Sequence, residues 1–175
     1  RQLVLLANAE LPAWLADRAP LPAREQQRWR IQQGVPAAPG EINDDTNPFE
    51  VGLADRVSLS KGCYVGQETL AKLATYDGVK QQLRRWFWRG TQGPGEPGTV
   101  LFGAKTGDET SSPRAGLITS SLALEDGLWI GLALVRRQSL QQTCLRAWPD
   151  PDGALLELSR PPACVDPPVG AGRKS

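Results

Sequence analysis

Residues 115–137, AGLITSSLALEDGLWIGLALVRR, decide how this chain folds. Two runs, AGLITSS at 115–121 and LWIGLALVRR at 128–137, are parted by a short break that contains Asp126 and Gly127. Short runs rich in β-branched, aliphatic and aromatic residues, bounded by Gly, Pro, Asp and Ser, read as strands. The same texture continues outward on both sides. RRWFWRG (84–90) and TVLFG (99–103) precede the pair, and TCLRAW (143–148) and ALLEL (154–158) follow it. Six such runs at this spacing predict a small antiparallel β-barrel or sandwich over residues 79–161. Trp86 and Trp88 stand two apart, so they share one strand face and are expected to cover the barrel core. The loops TQGPGEPG (91–98) and DETSSPRAG (108–116) lack the glycine spacing, the following lysine and the helix of a phosphate-binding loop. Their glycines are assigned to turns.

Ahead of the barrel the pattern is mixed. LVLLA (3–7) reads as a strand, and LPAREQQRWRIQQG (21–34) as a helix with Pro22 in its first turn and Gly34 just past its end. VPAAPGEINDDTNPFEVGL (35–53) carries four structure-breaking residues, Pro36, Pro39, Gly40 and Pro48, and predicts a long structured loop. Its acidic residues Glu41, Asp44, Asp45 and Glu50 are expected on a solvated surface, without acid–base roles. A second, short helix should start at about Gly66, with Glu68 in its first turn and Leu70 and Leu73 on one face. The fold class is therefore α+β: an α+β segment over residues 1–78, a barrel over 79–161, and a tail over 162–175. That tail, rich in Pro and Gly, is expected to be disordered apart from an anchor at Val165.

Composition narrows the function. With 20 Lys and Arg against 19 Asp and Glu, the net charge of +1 gives no overall attraction to duplex nucleic acid or an anionic membrane. No apolar run reaches the length of a membrane span, and the apolar stretch near residue 1 is too short for a signal peptide. Histidine is absent, which removes Ser-His-Asp and Cys-His catalysis and His-ligated zinc. The three cysteines, Cys63, Cys144 and Cys164, form no CxxC pair, so neither a disulfide framework nor a metal site is expected. A reducing compartment fits best, and the cytoplasm is the expected one. The sequence contains no methionine and opens directly on a strand-like run, so the chain is expected to be the C-terminal portion of a longer protein.

One stretch asks for more than packing. SKGCYVGQETLA (60–71) sets Cys63 between Lys61 and a helix start, with Gly62 and Gly66 on either side. A nearby cation and a helix N-terminus both stabilise a thiolate. Cys63 is thus the candidate reactive thiol, with Lys61 its charge partner; the competing reading is a small buried cysteine in a turn. Cys144 and Cys164 read as packing residues.

These residues resemble a family. KGCYVGQE (61–68) is similar to the signature of the YgfZ-type folate-binding proteins, relatives of the glycine cleavage T protein, an aminomethyltransferase. RIQQGVPAAPGEI (30–42) and NPFEVGL (47–53) resemble the segment leading to that signature, and AGLITSS with IGLALVRR resembles the family's C-terminal barrel. The resemblance implies the end of a folate-binding α+β core domain followed by the barrel, with the first folate-binding domain and the T protein's catalytic aspartate not represented here. It implies tetrahydrofolate as ligand and a role in iron–sulfur cluster assembly or repair, indirectly supporting tRNA modification. Iron–sulfur assembly proteins or iron–sulfur enzymes would be the partners, without direct contact to nucleic acid or membrane. Carried across, the signature cysteine falls on Cys63 and the folate-contacting candidates are Gln32, Glu50, Tyr64, Gln67 and Glu68. Gln32 stands where T-protein relatives have a glutamate, and a neutral amide there gives up about 1 kcal/mol of charge-assisted bonding. A folate-dependent aminomethyltransferase is the rival reading, and the cysteine in the signature argues against it.

Overall fold

The computed structural model describes residues 18–103, 113–147 and 153–168. The strand expected at LVLLA lies outside them, as do the tail beyond Pro168 and part of the DETSSPRAG loop. Six strands close into an antiparallel barrel: β1 (Gln81–Arg89), β2 (Val100–Gly103), β3 (Arg114–Ala123), β4 (Leu128–Arg136), β5 (Cys144–Arg146) and β6 (Leu155–Ser159). Their order around the wall is β1-β4-β3-β2-β5-β6, and β6 pairs back onto β1. Each β-rich run of the sequence is one of these strands. Of the two architectures its pattern allowed, the closed one is adopted, so among the described strands no sheet edge is left unpaired.

The barrel is filled by its own side chains. Trp86, Leu101, Ile118, Val135, Leu145 and Leu156 meet inside it, with Trp88 packed against them. Trp86 fits because residue 131 is glycine: a Cβ there would lie 2.2 Å from the indole ring and 2.0 Å from the Ser120 carbonyl oxygen. The indole Nε1 donates to the Leu132 carbonyl at 3.1 Å, so the one polar atom of this large ring is satisfied.

β4 is buried on both faces. Ala133 and Val135 point into the barrel, while Leu132 and Leu134 join Ile31, Val51, Leu83 and Cys164 in a second core outside it. That double burial explains why LWIGLALV is apolar without alternation.

One of the described helices covers this outer side. α1 (Ala23–Gln33) begins after Pro22 and ends at Gly34, whose φ of 71° is the left-handed C-cap conformation that favours glycine. A short 3-10 turn, Ala54–Arg56, follows the long loop, and α2 (Gln67–Thr75) starts after Gly66. Leu70 and Leu73 of α2 pack on a third cluster of Phe49, Ala74 and Val79.

The expectation of a disordered tail differs from what is found at its start. The Ala163 N–H donates to the Gln33 carbonyl at 3.0 Å and the Val165 N–H to the Gly52 carbonyl at 2.9 Å. Val165 forms a parallel bridge with Leu53, and Cys164 is buried. The tail closes the outer core because Gly34 and Gly52 leave room for Pro161 and Cys164. A Cβ at Gly52 would come within 2.4 Å of the Cys164 sulfur.

Candidate functional site

The KGCYVGQE loop holds its shape through its own polar groups. The Tyr64 hydroxyl donates to the Ser58 carbonyl at 2.9 Å, and the Lys61 N–H donates to the Ser58 hydroxyl at 3.2 Å. From the first turn of α2, the Gln67 side-chain amide reaches back to the carbonyls of Lys61 at 3.0 Å and Leu59 at 3.3 Å. Gly66, with φ of 86°, makes the left-handed turn between loop and helix. A Cβ at Gly62 would meet nothing within 4 Å, so the space beside Cys63 is open.

Cys63 is a free, exposed thiol on this loop. The reading of a buried packing cysteine does not hold for it. Lys61 is engaged with Tyr64, its ammonium lying 5.8 Å from the ring centroid. Val65 is fully exposed at the loop tip. Beside the loop opens a cavity of about 640 Å³ whose wall includes Asn47, Arg56, Ser58, Lys61, Tyr64 and Thr69. Cys63 is not part of that wall.

The other candidates fall elsewhere. Glu68 forms an exposed ion pair with Lys72 at 2.7 Å, one turn along α2. Gln32 is exposed on α1, where its carbonyl accepts from Arg85 at 2.7 Å. Glu50 is buried, its carboxylate accepting the Asn47 N–H at 3.3 Å, and it lines a separate cavity of about 540 Å³ with Asp45 and Lys80. The structure thus gathers Lys61, Cys63, Tyr64 and Gln67 in one loop and sets Gln32, Glu50 and Glu68 apart from it.

The solvated acidic surface expected over 41–50 is corrected at two positions. Glu41 is 1% exposed and Glu50 6%. Glu41 accepts from Arg30 at 2.9 Å, from the Ala37 N–H at 3.1 Å and from the Ser120 hydroxyl at 2.5 Å. Arg30 also donates to the Ser120 hydroxyl at 2.8 Å and to the Val35 carbonyl at 3.1 Å. This network ties α1, the long loop and β3 together, and its partners are too far apart in sequence for spacing to signal it.

Cys164 behaves as a packing residue, and Cys144 is half-buried on β5. Burial pushes the Cys164 thiol up to about 11, and the nearby Arg160 and Arg84 guanidiniums only partly oppose it. Among the described residues, no group of three or more His, Cys, Asp or Glu side chains is placed to hold a metal. None of the described helices is long and apolar enough to cross a membrane.

The chain matches no family model. Curated proteins do match it. The tRNA-modifying protein YgfZ of Sodalis glossinidius is 32% identical over 137 residues, 75% of this chain and 40% of that protein. At low identity, this chain is similar to that protein over three quarters of its own length. A protein of Arabidopsis thaliana, described as a candidate chloroplastic transferase, is 43% identical over 100 residues, covering 55% of this chain and 22% of the relative. An uncharacterized protein of Haemophilus influenzae is 30% identical over 140 residues, 77% of this chain and 46% of the relative. The match to YgfZ and to the other two therefore spans less than half the length of each relative.

Proposed function

We propose that this chain acts as a YgfZ-like accessory protein for iron–sulfur proteins, supporting tRNA modification, with a folate as ligand and Cys63 as its working thiol. The observation that carries the reading is the Cys63 loop. An exposed free thiol is held in place by Tyr64 and Gln67 rather than buried, in a chain that resembles a tRNA-modifying protein.

The neighbouring cavity suits a flat anion. Lys61 and Arg56, the latter shared with Asp55 at 3.3 Å, supply positive charge for carboxylates, and Tyr64 supplies an aromatic wall. These residues fit the ring and carboxylate tail of a folate. They do not supply the acidic group that would pair with a pterin edge, since Glu50 lines the other cavity and Gln32 lines neither. A bound folate would supply a one-carbon carrier; what the chain itself contributes is orientation and charge. A single thiol cannot hold an iron–sulfur cluster, which takes about four protein ligands. Partner proteins of iron–sulfur assembly would provide the rest, and the cytoplasm is the compartment where such a thiol stays reduced.

Tetrahydrofolate titration, followed by tryptophan fluorescence, tests the ligand. Binding is expected to weaken about tenfold in Arg56→Ala or Tyr64→Ala, the loss of roughly one charge-assisted or stacking contact. Cys63→Ser should bind folate normally yet fail to restore tRNA modification in cells that lack the protein. No binding at millimolar folate would refute the ligand, and full restoration by Cys63→Ser would refute the thiol. Turnover of an aminomethylated lipoyl carrier would instead favour the transferase, the reading that the Arabidopsis relative's description keeps open.

A further inference from the structure

Away from the Cys63 loop, one end of the barrel gathers positive charge by topology. β1 runs antiparallel to β4 with Gln81 opposite Arg136, and β3 runs antiparallel to β4 with Gly116 opposite Val135. The starts of β1 and β3 and the end of β4 therefore lie at the same rim. That rim carries Lys80, Arg114 and Arg136.

Two cavities open there under the loop at 40–50. One, of about 540 Å³, takes Lys80 and Arg136 into its wall; the other, of about 210 Å³, takes Arg114 and Arg136. They share Asp45, Gln81 and Arg136, so they form one trough along the seam between loop and barrel. Among the described residues, the side chains of Lys80, Arg114 and Arg136 make no ion pair or hydrogen bond. Arg137, also in the wall, is committed to Asp77. The acids facing the trough are Asp45 and Glu50, and Glu50 is already an acceptor for the Asn47 N–H.

Like charges gathered without partners repel one another, and a concave site concentrates their field even when the whole chain is nearly neutral. Two arginine forks match the paired oxygens of a phosphate, and a lysine adds a point charge. The amide of Gln81 lies in both walls as a neutral donor, while that of Asn43 is spent on the Pro39 and Gly40 carbonyls. We propose that this trough is an anion site that takes a phosphate group, held by Arg114 and Arg136 with Lys80 at its mouth. The phosphate can come from a small phosphate monoester or from the backbone of a single-stranded RNA. Neither the folate cavity nor Cys63 takes part, so the site stands or falls by itself.

The test is direct. The chain is titrated at low salt with inorganic phosphate by calorimetry, and separately with a fluorescent oligoribonucleotide by anisotropy. Binding in at least one arm is expected, weakening about tenfold for each arginine replaced in Arg114→Gln and Arg136→Gln, the loss of one charge-assisted contact. Arg28→Gln, an exposed change elsewhere, should bind as the unaltered chain does. Phosphate binding without oligonucleotide binding assigns a small ligand. Oligonucleotide binding whose salt dependence becomes shallower in the double variant assigns an RNA backbone. Absence of binding in both arms overturns the proposal, as does a double variant that binds normally while melting like the unaltered chain. Since all three cations are exposed, the variants should fold, and the double Arg→Lys variant should recover part of the binding.

Discussion

Replacing Glu41 by alanine should be among the costliest single changes in the chain. The carboxylate is 1% exposed and accepts bonds from Arg30, the Ala37 N–H and the Ser120 hydroxyl. Removing it leaves the part-buried Ala37 N–H without its acceptor, the buried Ser120 hydroxyl without one of its partners and a cation, 20% exposed, without its counter-charge. Breaking a buried pair by deleting one partner costs about 3–5 kcal/mol, and the partial exposure of Arg30 favours the lower end, about 3 kcal/mol. For a chain of this length that is a loss of roughly 6–12 °C in melting temperature. Urea denaturation followed by tryptophan fluorescence reads the change. Glu41→Gln, which keeps the shape and one acceptor, should lose less, about 1–2 kcal/mol. Glu68→Ala, which removes the exposed partner of Lys72, should stay within about 0.5 kcal/mol. If Glu41→Ala cost no more than Glu68→Ala, the network would be incidental and its role in holding α1, the loop and β3 together would be refuted.

Other outcomes follow from single contacts. Gly52→Ala should destabilise the chain by at least about 1 kcal/mol, from its positive φ and the clash with the Cys164 sulfur, and should expose that thiol to alkylating reagents. In the unaltered chain, a chromogenic thiol reagent should modify Cys63 readily and Cys164 only after denaturant is added. The raised value of Cys164 means the unfolded chain loses that proton first, so stability should fall as pH rises from about 9 toward about 11 and flatten above it. A Cys164→Ala variant should lose that dependence. Gln67→Ala should release the 59–61 backbone, seen as faster amide hydrogen exchange across the loop with the melting temperature little changed.

The barrel was legible because each strand is a local signal. RRWFWRG, AGLITSS and LWIGLALVRR announce themselves by residue type, and Pro22, Gly34 and Gly66 mark helix ends by backbone chemistry that does not depend on the rest of the chain. The burial of Glu41 was hidden for the opposite reason. Arg30 lies 11 residues away and Ser120 79, so the partners that make a carboxylate tolerable inside the protein are invisible to any local window. The same limit applies to the basic trough, whose cations sit at the ends of three strands and meet only when the sheet closes. At the start of the tail Val165 was legible as an anchor, but the proline-rich composition hid the rest, because Ala163 and Cys164 find their partners at the distant Gln33 and Gly52. Within the candidate site the sequence placed Cys63 just before a helix, and left open whether it is accessible or buried. It could not show that Lys61 engages Tyr64, or that Gln67 serves as the loop's fastener.

The two-faced burial of β4 has a consequence for dissection. Leu132 and Leu134 belong to the barrel by backbone and to the outer core by side chain, together with Ile31, Val51 and Cys164. A cut after residue 78 would fall in a turn yet would strip that strand of half its cover. The isolated barrel should then keep its hydrogen-bonded wall, present a greasy stripe to water and self-associate. The chain is better treated as a single cooperative unit than as a portable cassette with a removable preface.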